Sequence, residues 1–419
     1  MATDSGSIRL GSTRPASDRS TRRSAANTLP MSHPAALLGF AVTCLLVLGL
    51  VMILSASSVS TYDGRNYGSS FLFFKKQLIW AMIGVGAYFF FARLDYHRLR
   101  NFGYASILVV GGLLLAVLIP GVGISVGGSA RWLGLGPLSF QPSEFAKLAL
   151  ILFAADVFSR KKERKLREFS HTALPLIPVM GALTILVMLQ PDMGTTMILG
   201  MIGFGILFVA GAPLRYLFGL GGVGAALATL GAIVEPYRRA RLLAFLDPWA
   251  DPLNTGYHTI QSLIALGSGG WFGVGLGASR QKWSYIPNSH TDFIFAILGE
   301  EMGLLGTLTV VGLFAFLVYL GVRIARKAPD RHGMLLATGI SIWIGGQALV
   351  NIGAVTATMP VTGVPLPLVS FGGTSLVICL AAMGILTNIG MQARPSRGGK
   401  SESAGAKSDS DSASEVAKQ

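Results

Sequence analysis

The chain has 419 residues, 51% of them hydrophobic and only 13% charged, with a mean hydropathy of +0.57. A soluble protein of this length carries nearly twice that share of charge, so an ordinary soluble domain is excluded and a protein crossing the membrane several times is expected. The two cysteines, Cys44 and Cys379, lie in apolar runs, which argues against a disulfide framework or a Cys-based metal site. The net charge of +14 falls in loops and tails, as an inner-membrane protein requires, and does not call for a nucleic acid.

Residues 1–33 are rich in Ser and Arg and poor in apolar residues. Asp4, Asp18 and the lack of an apolar stripe argue against a transit peptide, so a disordered cytoplasmic tail is expected there, and another at 393–419. Between them, residues 34–392 form the membrane domain. A bilayer crossing takes about 20 apolar residues. About ten such spans follow one another near 34–56, 76–93, 103–121, 143–158, 172–190, 194–211, 214–235, 292–322, 333–356 and 366–391. The expected fold is an all-α polytopic membrane protein with a long extracytoplasmic loop between its seventh and eighth helices.

Basic segments set the orientation. The N-terminal tail, "ARLDYHRLRN", "SRKKERKLRE", "VRIARKAPDR" and "ARPSRGGK" alternate across successive spans, which puts both termini in the cytoplasm. The opposite face then receives "GISVGGSARWLGLGPLSFQPSEF", "QPDMG", the stretch 235–290 and "TATMPVTGVPLPL". The long loop carries Arg238, Arg239, Arg241, Arg280 and Lys282. Long loops tolerate such charges, but with Arg131 on the same face they also suit an anionic ligand such as a phosphate.

Familiar soluble-enzyme patterns fail. No GxxxxGK[ST], HExxH or CxxC is present. Gly123–Gly127 spells GxSxG, but it follows a membrane span, where the strand-to-helix elbow of that motif is not expected. Gly267–Gly277 has the look of a dinucleotide fingerprint without a βαβ unit, so a flexible or re-entrant loop is the better reading.

Acids in or beside membrane spans are costly and by default functional. Asp192 sits in a short turn as a helix cap or a functional acid. Glu144 and Lys147 share one face at the start of the fourth span; Lys147 either snorkels to water or, with Arg131, lines an anionic headgroup pocket. Asp292 follows Pro287 and His290 and begins a helix, as a cap or as a base at an outward-facing cavity. Glu300 lies roughly 12 Å deeper along that helix, too far to act with Asp292 on one bond. Glu300 and Glu301 are therefore expected to order the cavity or pair with a buried cation.

Five motifs occur in order: "GSARWLGLGPLSFQPSEFAKL", "QPDMGTT", "FLDPWADPLNTGYHTIQSLIALGSGG", "HTDFIFAILGEEMGLLG" and "PVTGVPLPLVSFGGTSL". Together they resemble the SEDS family of bacterial membrane glycosyltransferases over about Ala35 to Gln392. The likeness is greatest to its cell-division branch, with the elongation branch the close alternative. The resemblance implies polymerisation of lipid II, the undecaprenyl-diphosphate disaccharide-pentapeptide, into β-1,4 glycan by inversion. The work would be done at the outer face of the bacterial cytoplasmic membrane, at the division septum.

By this resemblance Asp292 matches the acid required for polymerisation and would act as general base, and Lys147 matches a cation of the fourth span. Arg131, Gln141, Glu144 and Asp192 fall on motif positions; Arg239, Lys282, His290 and Ser370 complete the candidate contacts to diphosphate and sugar. Phe371 stands where the family most often has Tyr. Diphosphate is already a good leaving group, so one base suffices. No cofactor is evident; a divalent cation, Mg or Mn, could help carry the charge, although no ligand set is legible. Implied partners are a class B penicillin-binding transpeptidase and other divisome proteins. A lipid II flippase and a non-catalytic division scaffold are the competing readings.

Overall fold

A computed structural model describes residues 33–60, 71–126, 129–135, 138–162, 164–165, 168–234, 236–283 and 290–393. Apart from residues 33 and 393, the expected tails lie outside the described residues, as does Pro287.

Helices α1 (His33–Ser60), α2 (Leu72–Arg93), α3 (Gly103–Leu118), α4 (Pro142–Ser159), α5 (Phe169–Met188), α6 (Met193–Ala210) and α7 (Leu214–Val234) come first. After them come α8 (Pro236–Leu246), α9 (Tyr257–Ser268), α10 (Ile294–Lys327), α11 (Arg331–Val355) and α12 (Gly373–Gln392). Eight of the described helical segments are long and apolar enough to cross a membrane. The ranges expected for the second and fourth spans are also helical, as α2 and α4. These are less apolar, because α2 carries Lys75, Lys76 and Arg93 and α4 carries Glu144, Lys147 and Asp156.

Of the helices apolar enough to span, the most buried are α11 and α12. They are apolar around their whole circumference because they touch protein on every side: α12 lies along α2 and α1, and α11 packs on α10, α6 and α4. Helices α2, α3, α5 and α7 instead expose large apolar side chains, as lipid-facing helices do.

Two departures from the expected all-helical plan occur outside the spans. Strands β1 (Gly123–Val126), β2 (Ser129–Leu135) and β3 (Leu138–Phe140) form an antiparallel sheet in the order β1-β2-β3, with Gly123 opposite Leu133 and Leu133 opposite Phe140. The chain passes from β1 into another strand, so Ser125 is no nucleophile elbow. The described part of the expected long loop, 236–283, holds α8, a 3-10 turn (Pro248–Ala250) and α9.

Helix α10 is two helices. Its 34 residues would measure about 51 Å against a hydrocarbon core of about 30 Å. The chain breaks at Gly303, with φ 66° and ψ −163°. The part from Leu304 to Lys327, roughly 36 Å long, suffices to span. The part from Ile294 to Met302, roughly 13 Å, is a half-helix sunk in protein.

A broken helix inside a membrane protein must have its freed backbone groups satisfied. Here the loop after α9 does this. Val274 N–H donates to Glu300 O (2.9 Å) and Gly275 N–H to Glu301 O (3.1 Å); Leu304 N–H donates to Gly270 O (2.9 Å) and Leu305 N–H to Trp271 O (3.2 Å). The two backbones are so close that a Cβ on Gly273 or Gly303 would overlap the other segment.

At the other end of the bundle, Asp156 is buried and receives Arg160 Nε at 2.6 Å and Arg100 Nε at 3.4 Å. Nearby, Tyr96 O–H donates to Asp330 (2.5 Å), and Asn388 Oδ1 accepts from Tyr96 N–H (3.2 Å). These contacts tie the ends of α2, α4 and α12 to the start of α11.

Candidate functional site

Asp192 is the N-cap of α6. Its carboxylate accepts the N–H of Thr195 (3.0 Å) and the Thr195 hydroxyl (2.8 Å), which satisfies a free donor of the first turn. It also receives the Gln141 amide (3.3 Å) and the Ser143 hydroxyl (3.4 Å), so the start of α4 is tied to the start of α6. From β2, Arg131 donates to Gln190 O (2.8 Å) and Pro191 O (2.6 Å), strapping the sheet onto the same turn.

Asp292 precedes the half-helix of α10, where a free helix N-terminus favours a carboxylate. Asn351 of α11 holds its backbone, donating to Asp292 O (2.8 Å) and Val364 O (2.8 Å). Segment 356–372 passes alongside: a Cβ on Gly363 would sit 3.5 Å from Asp292 Oδ2. Arg241 of α8 donates to Val361 O (3.2 Å) of the same segment. Burial pushes the Asp292 carboxyl up to about 6; Arg241 and Arg131 pull against that rise, and Asp192 adds to it. Two acids and two guanidinium groups from four separate stretches of chain thus share one electrostatic site. Its carboxylate is held near neutral titration, as a proton acceptor should be.

A second polar cluster lies beside it. Lys147, buried, contacts Glu144 at 2.8 Å, donates to Gln347 Oε1 at 2.9 Å and sits 5.2 Å from the centre of the Trp343 ring. Trp343 donates to the same Gln347 oxygen (2.8 Å), and the Gln347 amide reaches Pro365 O (2.9 Å). Lys147 is therefore paired within the bundle and does not snorkel to water. Through Gln347 it steadies the segment that borders Asp292.

Other expected contacts lie elsewhere. Lys282 is buried in the stitched loop, where it donates to Gly277 O and stands 3.9 Å from Glu301, so it is a counter-ion and not a free phosphate contact. Glu301 also accepts the Ser55 hydroxyl (2.6 Å). Glu300 accepts the Ser279 hydroxyl and the N–H groups of Arg280 (3.0 Å) and Gln281 (3.3 Å). Of the two roles expected for these acids, ordering the cavity or pairing with a buried cation, Glu301 takes the second, while Glu300 fastens the loop.

Arg239 is exposed and makes none of these contacts, and it is Arg241, two residues on, that reaches Val361 O. His290 packs against Phe73 (4.7 Å between ring centres) and Phe371 (5.7 Å), and burial lowers its pKa. Ser370 accepts Leu366 N–H (2.8 Å) and shapes the 356–372 segment. Asn351 and Gln347 were not signalled in advance. A polar residue within a span is the mark that would have found both. Among the described residues no group of three or more His, Cys, Asp or Glu side chains is placed to hold a metal ion.

The cell cycle protein family model, which takes in FtsW, RodA and SpoVE, matches residues 36–395. This chain belongs to that family. It is similar to stage V sporulation protein E of Bacillus subtilis, at 42% identity over 88% of this chain and all of that protein. It is also similar to the probable peptidoglycan glycosyltransferase FtsW of Thioalkalivibrio sulfidiphilus, at 43% identity over 84% of this chain and 88% of that one. A chain solved in a study of a peptidoglycan synthase complex that coordinates polymerization and crosslinking matches at TM-score 0.70 and 30% identity, covering 85% of this chain and 97% of that one. The rod shape determining protein RodA of Thermus thermophilus matches at TM-score 0.62 and 28% identity, with the same coverage. Family membership and the apolar helices together make this an integral membrane protein.

Proposed function

We propose that the chain is a peptidoglycan glycosyltransferase that polymerises lipid II, with Asp292 as the general base. The carrying observation is the Asp292 carboxylate itself, pushed up to about 6 at the head of a half-helix, with Arg241 and Arg131 in electrostatic reach. The acceptor's GlcNAc 4-hydroxyl attacks the anomeric carbon of the donor, Asp292 takes its proton, and the C–O bond to the diphosphate breaks with that group leaving as the anion. An α-linked donor then gives a β-linked product in one inverting displacement. The developing negative charge falls to guanidinium groups, and Arg241 and Arg131 are in electrostatic reach of the acid.

The Asp292 end of the bundle faces outward in this proposal and both termini are cytoplasmic, in keeping with the alternation of basic segments. A role in cell division at the septum is supported by relatives at about 40% identity named FtsW. A class B penicillin-binding transpeptidase is the proposed partner, supported by likeness to a chain of a synthase complex.

The test is lipid II polymerisation by the purified chain with its partner transpeptidase, wild type against Asp292→Asn. Glycan ladders from wild type and none from a folded variant are expected. Equal ladders would remove Asp292 from catalysis, and no ladders from either, beside an active control polymerase, would favour a flippase or scaffold.

A further inference from the structure

The loop Gly269–Trp283 is held by backbone bonds to the α10 break and by the Glu300 carboxylate, so its path is fixed. Its large side chains are nonetheless turned away from protein: Trp271 is 67% exposed, Phe272 81%, Leu276 63% and Trp283 61%. Four such residues in one short, immobilised loop form an apolar ridge that soluble surfaces avoid.

The ridge is continuous with the lipid-facing surface. Directly below the break, Leu304, Leu305 and Leu308 of the spanning half of α10 are exposed. Leu276 and Met302 also line an apolar groove of about 410 Å³ along α1, with Val47 and Val51. The exposed Arg280 stands on the same loop, at a position to meet lipid phosphates. Tryptophan side by side with Arg at the edge of an apolar band is the composition of a membrane interface.

We infer that this loop is an interfacial membrane anchor: Trp271, Phe272, Leu276 and Trp283 sit at the headgroup–acyl boundary of the leaflet at the Asp292 end, and acyl chains of that leaflet fill the groove beside α1. Because the loop is fastened to the half-helix, the anchor sets the height of Asp292 relative to the bilayer, whatever Asp292 does there. A loop already fixed loses little conformational freedom when its side chains enter the interface, which favours this use of it.

The test is spin-label depth measurement on the full chain in phosphatidylethanolamine–phosphatidylglycerol nanodiscs. Phe272→Cys is introduced with Cys44→Ser and Cys379→Ala, and its accessibility to oxygen and to a water-soluble nickel chelate is compared with labels at Asn254→Cys and Leu308→Cys. The anchor predicts more collision with oxygen than with the chelate at 272, at a depth between the two controls. As a measurement needing no cysteine changes, lipids brominated near the headgroup end of their chains should quench wild-type tryptophan fluorescence more than that of Trp271→Phe. A label at 272 as open to the chelate as the one at 254, together with equal quenching, would overturn the proposal. So would shielding from both reagents that arises only when the partner transpeptidase is added, since the ridge would then be a protein interface.

Discussion

Replacing Asp292 with Asn should abolish polymerisation and at the same time stabilise the protein. The carboxyl is moved from 3.8 to about 6, chiefly by burial. Two pK units correspond to about 3 kcal/mol, an upper figure because the side chain is only half-buried. The sign follows from proton linkage. A folded-state pKa above the unfolded value means that the folded protein binds the proton more tightly. The acid is then without cost below pH 3.8, and the fold is progressively penalised as pH rises towards 6. Asn keeps the shape, carries no charge and escapes the penalty. Thermal unfolding in detergent should give a Tm for Asp292→Asn above wild type by a few degrees at pH 7.5, with most of the difference gone by pH 4. A variant less stable than wild type at pH 7.5 would refute the reasoning, because the carboxylate would then be anchoring the fold through Arg241 or Arg131.

The same titration governs rate: initial polymerisation velocity should fall as pH drops through about 6, since the protonated acid can accept no proton, and a flat profile between pH 5 and 7.5 would count against the base. Lys147→Met strands Glu144 as a buried charge and should cost about 3–5 kcal/mol, whereas Glu144→Gln with Lys147→Met should regain most of that Tm loss. Gly303→Ala drives a Cβ into the stitched loop and should cost at least about 2 kcal/mol, read as loss of monodisperse protein on size-exclusion chromatography. Asp156→Asn gives up pairing to Arg160 and Arg100, both partly hydrated, so a loss of only about 1–2 kcal/mol in Tm-derived stability is expected, with polymerisation retained.

The membrane plan was legible because hydropathy and the cost of intramembrane charge act on each residue singly, which is also why Asp292, Asp192 and Lys147 stood out. What stayed hidden depends on the phase of an element or on pairing between distant segments. Arg239 and Arg241 are two residues apart in α8, and successive residues turn by about 100°, so no rule read along the chain tells which of them reaches Val361 O. Lys282 looked like a free cation until the fold placed Glu301, nineteen positions later, against it. The sheet Gly123–Phe140 escaped because its strands are short and glycine-interrupted, and their hydrogen bonds run to one another. The eighth span looked merely long and acidic. Gly303 reads as an unremarked helix glycine until the loop that covers its break is known.

The break at Gly303 has a consequence for how such a protein can vary. In an unbroken helix, inserting one residue would rotate everything above it by about 100° and swing both the lipid-facing side and the acid-bearing side together. Here the half-helix and the span meet at a glycine break, and each is bonded separately to the loop that covers it. A change of length between Ile294 and Met302 would re-aim Asp292 against the loop and Asn351, while Leu304 and Leu305 keep their own bonds to Gly270 and Trp271. Changes below Gly303 would re-tune the fit to bilayer thickness without re-aiming the acid. The angular setting of the acid and the register of the span in the bilayer are therefore independently adjustable traits.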